Sequence, residues 1–111
     1  MDICHLSPSF AVSPQIRPAD IGRLVEAGFK GIINNRPDGE APEQPTSDEI
    51  EAEARRHGLF YRYIPVVPGQ GIDAEARALA ATLREADGPV LAFCRTGNRS
   101  SSLWKAAQQA S

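Results

Sequence analysis

Four residues separate Cys94 from Arg99 in the stretch "FCRTGNRSSS" (93–102), which follows the apolar run Val90-Leu91-Ala92-Phe93. A thiol between an apolar strand and a cluster of arginine, glycine and hydroxyl residues has what an activated nucleophile needs, because the thiolate is the reactive form. Gly97 permits the φ that a tight curl requires. With a helix starting near Arg99, the backbone N–H groups of Arg95, Thr96, Gly97 and Asn98 would turn inward, and the positive end of that helix would add to their field. The thiol pKa in comparable settings falls to roughly 3.5–7.5. Arg99 can neutralise an anionic group in the loop, and Arg95 adds positive potential at its rim. Ser100 can donate a hydrogen bond to the thiolate or to a leaving group. The predicted site is an anion cradle with Cys94 at its base.

The elements that must position this loop alternate between extended and helical. "SFAV" (9–12) reads as a first strand, "RPADIGRLVEAG" as a helix with an apolar stripe of Ile21, Leu24 and Val25, and "FKGIIN" (29–34) as a buried strand. A loop over 35–45 precedes a helix opened by a Thr46–Glu49 capping box and closed at Gly58. "LFYRYIPVV" (59–67) is predicted as a strand rich in aromatic and branched residues, and Asp73 as the cap of a helix turning Ala76, Leu79, Ala80 and Leu83 inward. "VLAF" is too short and too continuously apolar to be anything but a central strand. A last helix of about ten residues is expected from Arg99, with Leu103 and Ala107 on one face. This alternation implies right-handed βαβ units: an α/β fold with a three-layer parallel sheet flanked by helices, in one domain over residues 1–111. Ligands of such sheets bind beyond the carboxyl ends of the strands, so loops 35–45 and 67–72 are expected beside Cys94. Asn35 and Arg36 could therefore line the site, although an Asn pair entering a turn is equally what turn chemistry supplies.

"CRTGNR" matches the Cys-x-x-Gly-x-Arg loop of rhodanese-type sulfurtransferases. Most of the chain, over "SPQIRPADIGRLVEAGFKGIINNRPDGE" (13–40), "YIPV" (63–66) and "GPVLAFCRTGNRSSSLW" (88–104), resembles the beta-lactamase hydrolase-like protein, phosphatase-like domain family. The resemblance implies the fold of small dual-specificity phosphatases carrying a rhodanese-like loop. Domains of that family occur alone or joined to a persulfide dioxygenase-type domain, which implies such a protein as a partner.

Fold does not fix reaction. Cysteine phosphatases carry Cys-x5-Arg, a histidine before the cysteine, and an aspartate acid after an "IPV"-like strand end. Here the loop is one residue shorter, Phe93 precedes the cysteine, and the strand end reads Ile64-Pro65-Val66-Val67-Pro68. A phosphatase uses its acid to protonate a poor alkoxide leaving group, a step worth ~10²–10⁴ in rate. Sulfur transfer needs it less. The expected activity is therefore a sulfurtransferase in which Cys94 takes sulfur from a small anionic donor, forms a persulfide, and passes it to a thiol, sulfite or cyanide. Two alternatives stand beside it: a cysteine phosphatase with Asp38 or Asp73 as acid, and a non-catalytic anion-binding module.

A net charge of −2 and a pI near 5.6 argue against nucleic acid or an anionic membrane as partner. No apolar stretch approaches the length of a membrane span, and the first ten residues lack the pattern of a signal peptide. Two cysteines without a CxxC pair disfavour a disulfide scaffold or a zinc site, so no metal or organic cofactor is expected and a cytoplasmic, reducing home is. Cys4 reads as incidental, and His57 as a helix-end residue. Related domains continue past the last helix, so its Leu103 and Trp104 side is expected to be covered by a second copy of the chain or by a separately supplied partner domain.

Overall fold

Val90, Leu91, Ala92 and Phe93 are all buried, and that follows from their place at the centre of the sheet. In a computed structural model describing residues 2–110, five strands and four α-helices form three layers. The strands are β1 (Cys4–Ser7), β2 (Phe10–Ser13), β3 (Gly31–Asn34), β4 (Phe60–Tyr63) and β5 (Val90–Phe93), in the order β1-β2-β5-β3-β4. The last four are parallel. β1 pairs antiparallel with β2 and makes the sheet mixed, an edge strand that the sequence pattern does not announce. Cys4 lies exposed on it.

The helices are α1 (Ile21–Glu26), α2 (Ser47–Arg56), α3 (Asp73–Glu85) and α4 (Asn98–Ala110). Side chains of a strand alternate between faces. Leu91 and Phe93 therefore point to the layer of α1 and α2, with Ile21, Leu24, Ile50 and Ala54, while Val90 and Ala92 meet Ala76, Leu79, Leu103 and Ala107 of α3 and α4. Each face buries a continuous apolar cluster, which fixes the strand register.

Several local expectations shift. Pro18–Asp20 forms a 3-10 turn before α1, and Val25 leaves the apolar stripe with 36% exposure, because the shortened helix turns only Ile21 and Leu24 inward. The extended pairing of β4 ends at Tyr63, before Pro65. Ile72, not Asp73, is the N-cap of α3, leaving Asp73 as its first helical residue. α4 starts at Asn98 and runs 13 residues, with Trp104 stacked on Phe10. The capping box of Thr46 and Glu49 is formed, and Gly58 closes α2 at φ +78°.

The consequence for function lies at one edge of the sheet. Ser13, Phe93, Asn34 and Tyr63 end their strands in register. The four chains leaving those positions must diverge over one surface, and β5 lies between β2 and β3 there, the kind of place where parallel sheets bind ligands.

Candidate functional site

Cys94 leaves the carboxyl end of β5 with no solvent exposure, and its Sγ accepts a hydrogen bond from the Gly97 N–H at 3.1 Å. Gly97 holds φ at +95°, in the region that favours glycine, and this turns its N–H inward. Burial by itself pushes the Cys94 thiol up. The N–H groups of Ser100, Thr96 and Gly97, with the Ser100 hydroxyl, outweigh that effect and leave its pKa below the ordinary thiol value. The Ser100 hydroxyl has a single proton and two acceptors for it. In this arrangement it donates to Asn35 Oδ1 at 2.8 Å, and rotation about its C–O bond would give the proton to the thiolate.

Arg99 does not stand free. Its guanidinium donates to both carboxylate oxygens of Glu40, at 2.8 and 2.9 Å, and to the Val66 carbonyl at 2.9 Å. Glu40 also accepts from Arg36 Nε at 3.0 Å, and Arg36 Nη1 donates to Gln15 Oε1 at 3.0 Å. Hydrogen bonds from Arg99, with a further contribution from Arg36, hold the Glu40 carboxyl below the usual carboxylate range against its partial burial. Glu40 in turn raises the Arg99 pKa further, opposed by burial and supported by the neighbouring Cys94 sulfur. Loops from three strand ends thus meet: Gln15 after β2, Arg36 and Glu40 after β3, and Val66 after β4, all around the loop that follows β5. Gln15, Arg36 and Glu40 border, with Arg99, a cleft of about 510 Å³.

The other residues singled out from sequence separate into groups. Asn35 is buried beside the loop: its N–H donates to the Phe93 carbonyl at 2.8 Å and its side-chain amide to the Ile64 carbonyl at 2.8 Å, so its Oδ1 is aimed at Ser100. Arg36 is buried and forms one wall of the cleft. Thr96 and Asn98 are exposed at the rim, where Thr96 Oγ1 accepts from the Asn98 N–H at 3.3 Å, and Arg95 is exposed beside Arg99. Asp38 is not in the cleft wall. Its Oδ1 accepts from the Ser47 N–H at 2.8 Å, closing the start of α2, while its own N–H donates to the Tyr63 hydroxyl. Asp73 lies with Arg77 and Ala106 on the α3–α4 side. Glu40, Gln15 and Arg17, which no sequence motif marks, also line the cleft. Their signal was position alone, a few residues past a strand end. His57 bonds Glu53 at the end of α2, and His5 stacks on Phe29.

Residues 2–111 match the family described as beta-lactamase hydrolase-like protein, phosphatase-like domain. The chain belongs to this family. It is 35% identical over 104 residues to the beta-lactamase hydrolase-like protein of Xylella fastidiosa strain Temecula1, covering 94% of this chain and 24% of that protein. It thus spans about a quarter of the length of the curated relatives it matches. Among solved structures, a Neisseria meningitidis protein described as a phosphatase candidate superposes with a TM-score of 0.86 at 34% identity, over 94% of this chain and 74% of the other. The catalytic core of the PP-IP phosphatase Siw14 from S. cerevisiae, at 21% identity, shares the fold with a TM-score of 0.70, over 91% of this chain and 60% of that one.

These relatives overturn the expected sulfurtransferase activity and, with it, the persulfide intermediate, the sulfur donor and the thiol acceptor. The family is described as phosphatase-like and the Neisseria meningitidis neighbour as a phosphatase candidate; neither description is of a sulfur carrier. The features behind that expectation, the short loop, Phe93 before the cysteine and no aspartate after the Ile64-Pro65-Val66 strand end, are all local. Arg17 and Arg36 bring further positive charge from other loops to the cleft that Arg95 and Arg99 line. Among the described residues, no helix is long and apolar enough to cross a membrane.

Proposed function

We propose that the chain is a cysteine-dependent phosphatase in which Cys94 is the nucleophile and Arg99 the phosphate-binding cation. The observation that carries this is the Cys94 sulfur at the mouth of the central strand, 3.1 Å from the Gly97 N–H, in a chain of the phosphatase-like family. The N–H groups around that sulfur also suit the oxygens of a phosphoryl group seated above it.

In the first step the Cys94 thiolate attacks phosphorus. The S–P bond forms as the P–O bond to the leaving group breaks, and that oxygen departs with the electron pair. Arg99 and the loop N–H groups carry the charge of the transferred group. Water then attacks the phosphocysteine, the P–S bond breaks, orthophosphate leaves with the water's oxygen, and the thiolate is restored while the proton passes to solvent. Ser100 supports the returning thiolate when its hydroxyl turns from Asn35. Asn35 is a positioning residue, since it sets the direction of Ser100 without reaching the phosphoryl group.

The direct test is hydrolysis of para-nitrophenyl phosphate by the purified chain, with trapping of the intermediate. Phosphate release accompanied by an added phosphoryl mass on Cys94 supports the reading. A chain that releases no phosphate from this ester under conditions where it is folded refutes it.

A further inference from the structure

Six charged residues face the cleft: Arg17, Arg36, Arg95, Arg99, Glu40 and Glu43. Four guanidinium groups against two carboxylates is a local excess of positive charge in a protein whose net charge is −2. Arg36 and Arg99 share Glu40, so one positive charge in that trio is uncompensated. Arg17 and Arg95 are exposed and form no ion pair among the described residues. Arginines gathered from three separate loops repel one another unless an anion joins them. One phosphoryl group seated over Cys94 engages Arg99 and leaves Arg17 and Arg95 with Glu43 as the one remaining carboxylate of the wall.

Two further observations narrow the anion. The wall of the cleft contains no phenylalanine, tyrosine or tryptophan, so an aromatic ring of the substrate would find no partner to stack on. Three candidate carboxylic acids are not free to protonate a leaving group: Asp38 is engaged by Ser47, Asp73 lies on the α3–α4 side, and Glu40 is committed to two arginines; Glu43 lines the cleft but is exposed to solvent. A phosphate leaving group needs no such proton, and cations can carry its charge instead.

Resting on the phosphatase reading, we infer that the substrate is a compact phosphoanhydride, a diphosphate whose terminal phosphoryl group is transferred to Cys94 while Arg17 and Arg95 hold the departing phosphate. The Cys94 sulfur bonds the terminal phosphorus, the bridging P–O bond breaks, and the bridging oxygen keeps the electron pair as part of the released phosphate. Water hydrolyses the phosphocysteine as before.

The experiment compares kcat/KM for inorganic pyrophosphate, ADP, para-nitrophenyl phosphate, glycerol 2-phosphate and a phosphotyrosine peptide, with a chelator present, for the wild type and Arg17→Gln. At least one of the two diphosphates is expected to be cleaved about tenfold or more better than glycerol 2-phosphate and the peptide. Arg17→Gln is expected to lower the ratio of diphosphate to para-nitrophenyl phosphate cleavage about tenfold, through KM and kcat together. Cleavage of para-nitrophenyl phosphate without cleavage of either diphosphate overturns the inference and spares the phosphatase reading. So does a ratio unmoved by Arg17→Gln, equal cleavage of glycerol 2-phosphate, or preference for the peptide. Loss of all hydrolysis, para-nitrophenyl phosphate included, overturns the phosphatase reading itself.

Discussion

α2 and α4 both begin beside the carboxyl ends of the parallel strands, yet their first turns are satisfied in opposite ways. At α2 the chain closes the helix with its own oxygens: Thr46 Oγ1 accepts from the Glu49 N–H at 3.2 Å, Glu49 accepts from the Thr46 N–H at 3.1 Å, and Asp38 accepts from the Ser47 N–H at 2.8 Å. Asp48 and Glu49 add negative charge to that turn, while the first turn of α4 carries no acidic residue. There the N–H groups of Gly97 and Ser100 turn to the Cys94 sulfur. Every helix start leaves four N–H groups to be satisfied. A start closed by carboxylates is a structural device, and one left to a thiol and bordered by Arg95 and Arg99 is where the proposed phosphatase would hold its anion.

The sharpest way to break this comparison is Cys94→Ser. Hydrolysis of para-nitrophenyl phosphate is expected to fall by at least roughly a thousandfold, because a serine hydroxyl in the same cradle stays protonated. Circular dichroism should show the fold intact. The same variant carries a pH signature. The Cys94 pKa is lowered by the fold, so the thiolate contributes stability that is present above the unfolded thiol pKa and is lost as pH falls through the folded value. The Tm advantage of wild type over Cys94→Ser is therefore expected to shrink on acidification across that window. A Tm difference that stays flat with pH would mean that α4 does not stabilise the anion.

Glu40→Gln probes the arginines around the second start. Arg36 has only 7% of its side chain exposed, and a neutral amide cannot balance both it and Arg99. A loss of about 1–3 kcal/mol is expected in urea unfolding, held to that range because Glu40 itself is partly solvated. Arg99 loses its anchor, so kcat should fall several-fold. KM should not rise, since removing a carboxylate from the cleft favours an anion. A raised KM with unchanged kcat would show that Glu40 does not position Arg99. Gly97→Ala is expected to have a smaller effect, about 1–2 kcal/mol, from forcing an L residue to a left-handed φ. Its Cβ would meet Ser13 backbone atoms no closer than 3.5 Å, so the cost is conformational and not steric. Alkylation of Cys94 by iodoacetamide should then need higher pH than in wild type, as the Gly97 N–H swings from the sulfur.

The Cys94 loop, the order of helices and strands and the central place of β5 were legible because each rests on local signals: apolar runs, capping residues and a glycine at a forced turn. β1 was not, since a four-residue edge strand with two exposed residues carries no burial pattern to read. Glu40 was overlooked for a different reason. Its partners Arg36 and Arg99 are 4 and 59 residues away, and only the second contact gives it a role in the cleft. Tyr61 has a hydroxyl that joins Asn34 and Ser47 at 3.0 and 2.7 Å, another long-range match invisible in the alternation of β4. The choice of reaction went wrong at the same level. Loop length, the residue before the cysteine and the missing acid are all local, whereas the charge around Arg99 arrives in part from loops distant in sequence.

Asp38 separates the two helix starts most finely. An aspartate in the loop after β3 is where an acid for the neighbouring cleft could sit, but its carboxylate is spent on the Ser47 N–H of α2. Asparagine keeps an oxygen acceptor of the same shape, so Asp38→Asn should lose less than about 1 kcal/mol of stability, most of it from the weakened interaction with the helix dipole. Rates on para-nitrophenyl phosphate and glycerol 2-phosphate should change within a few-fold and in parallel. An acid would behave otherwise: the alkyl ester would suffer roughly a hundredfold or more while the aryl ester, with its better leaving group, was spared. That split would show Asp38 leaving α2 during turnover, and the start of α2 would then belong to the site as well.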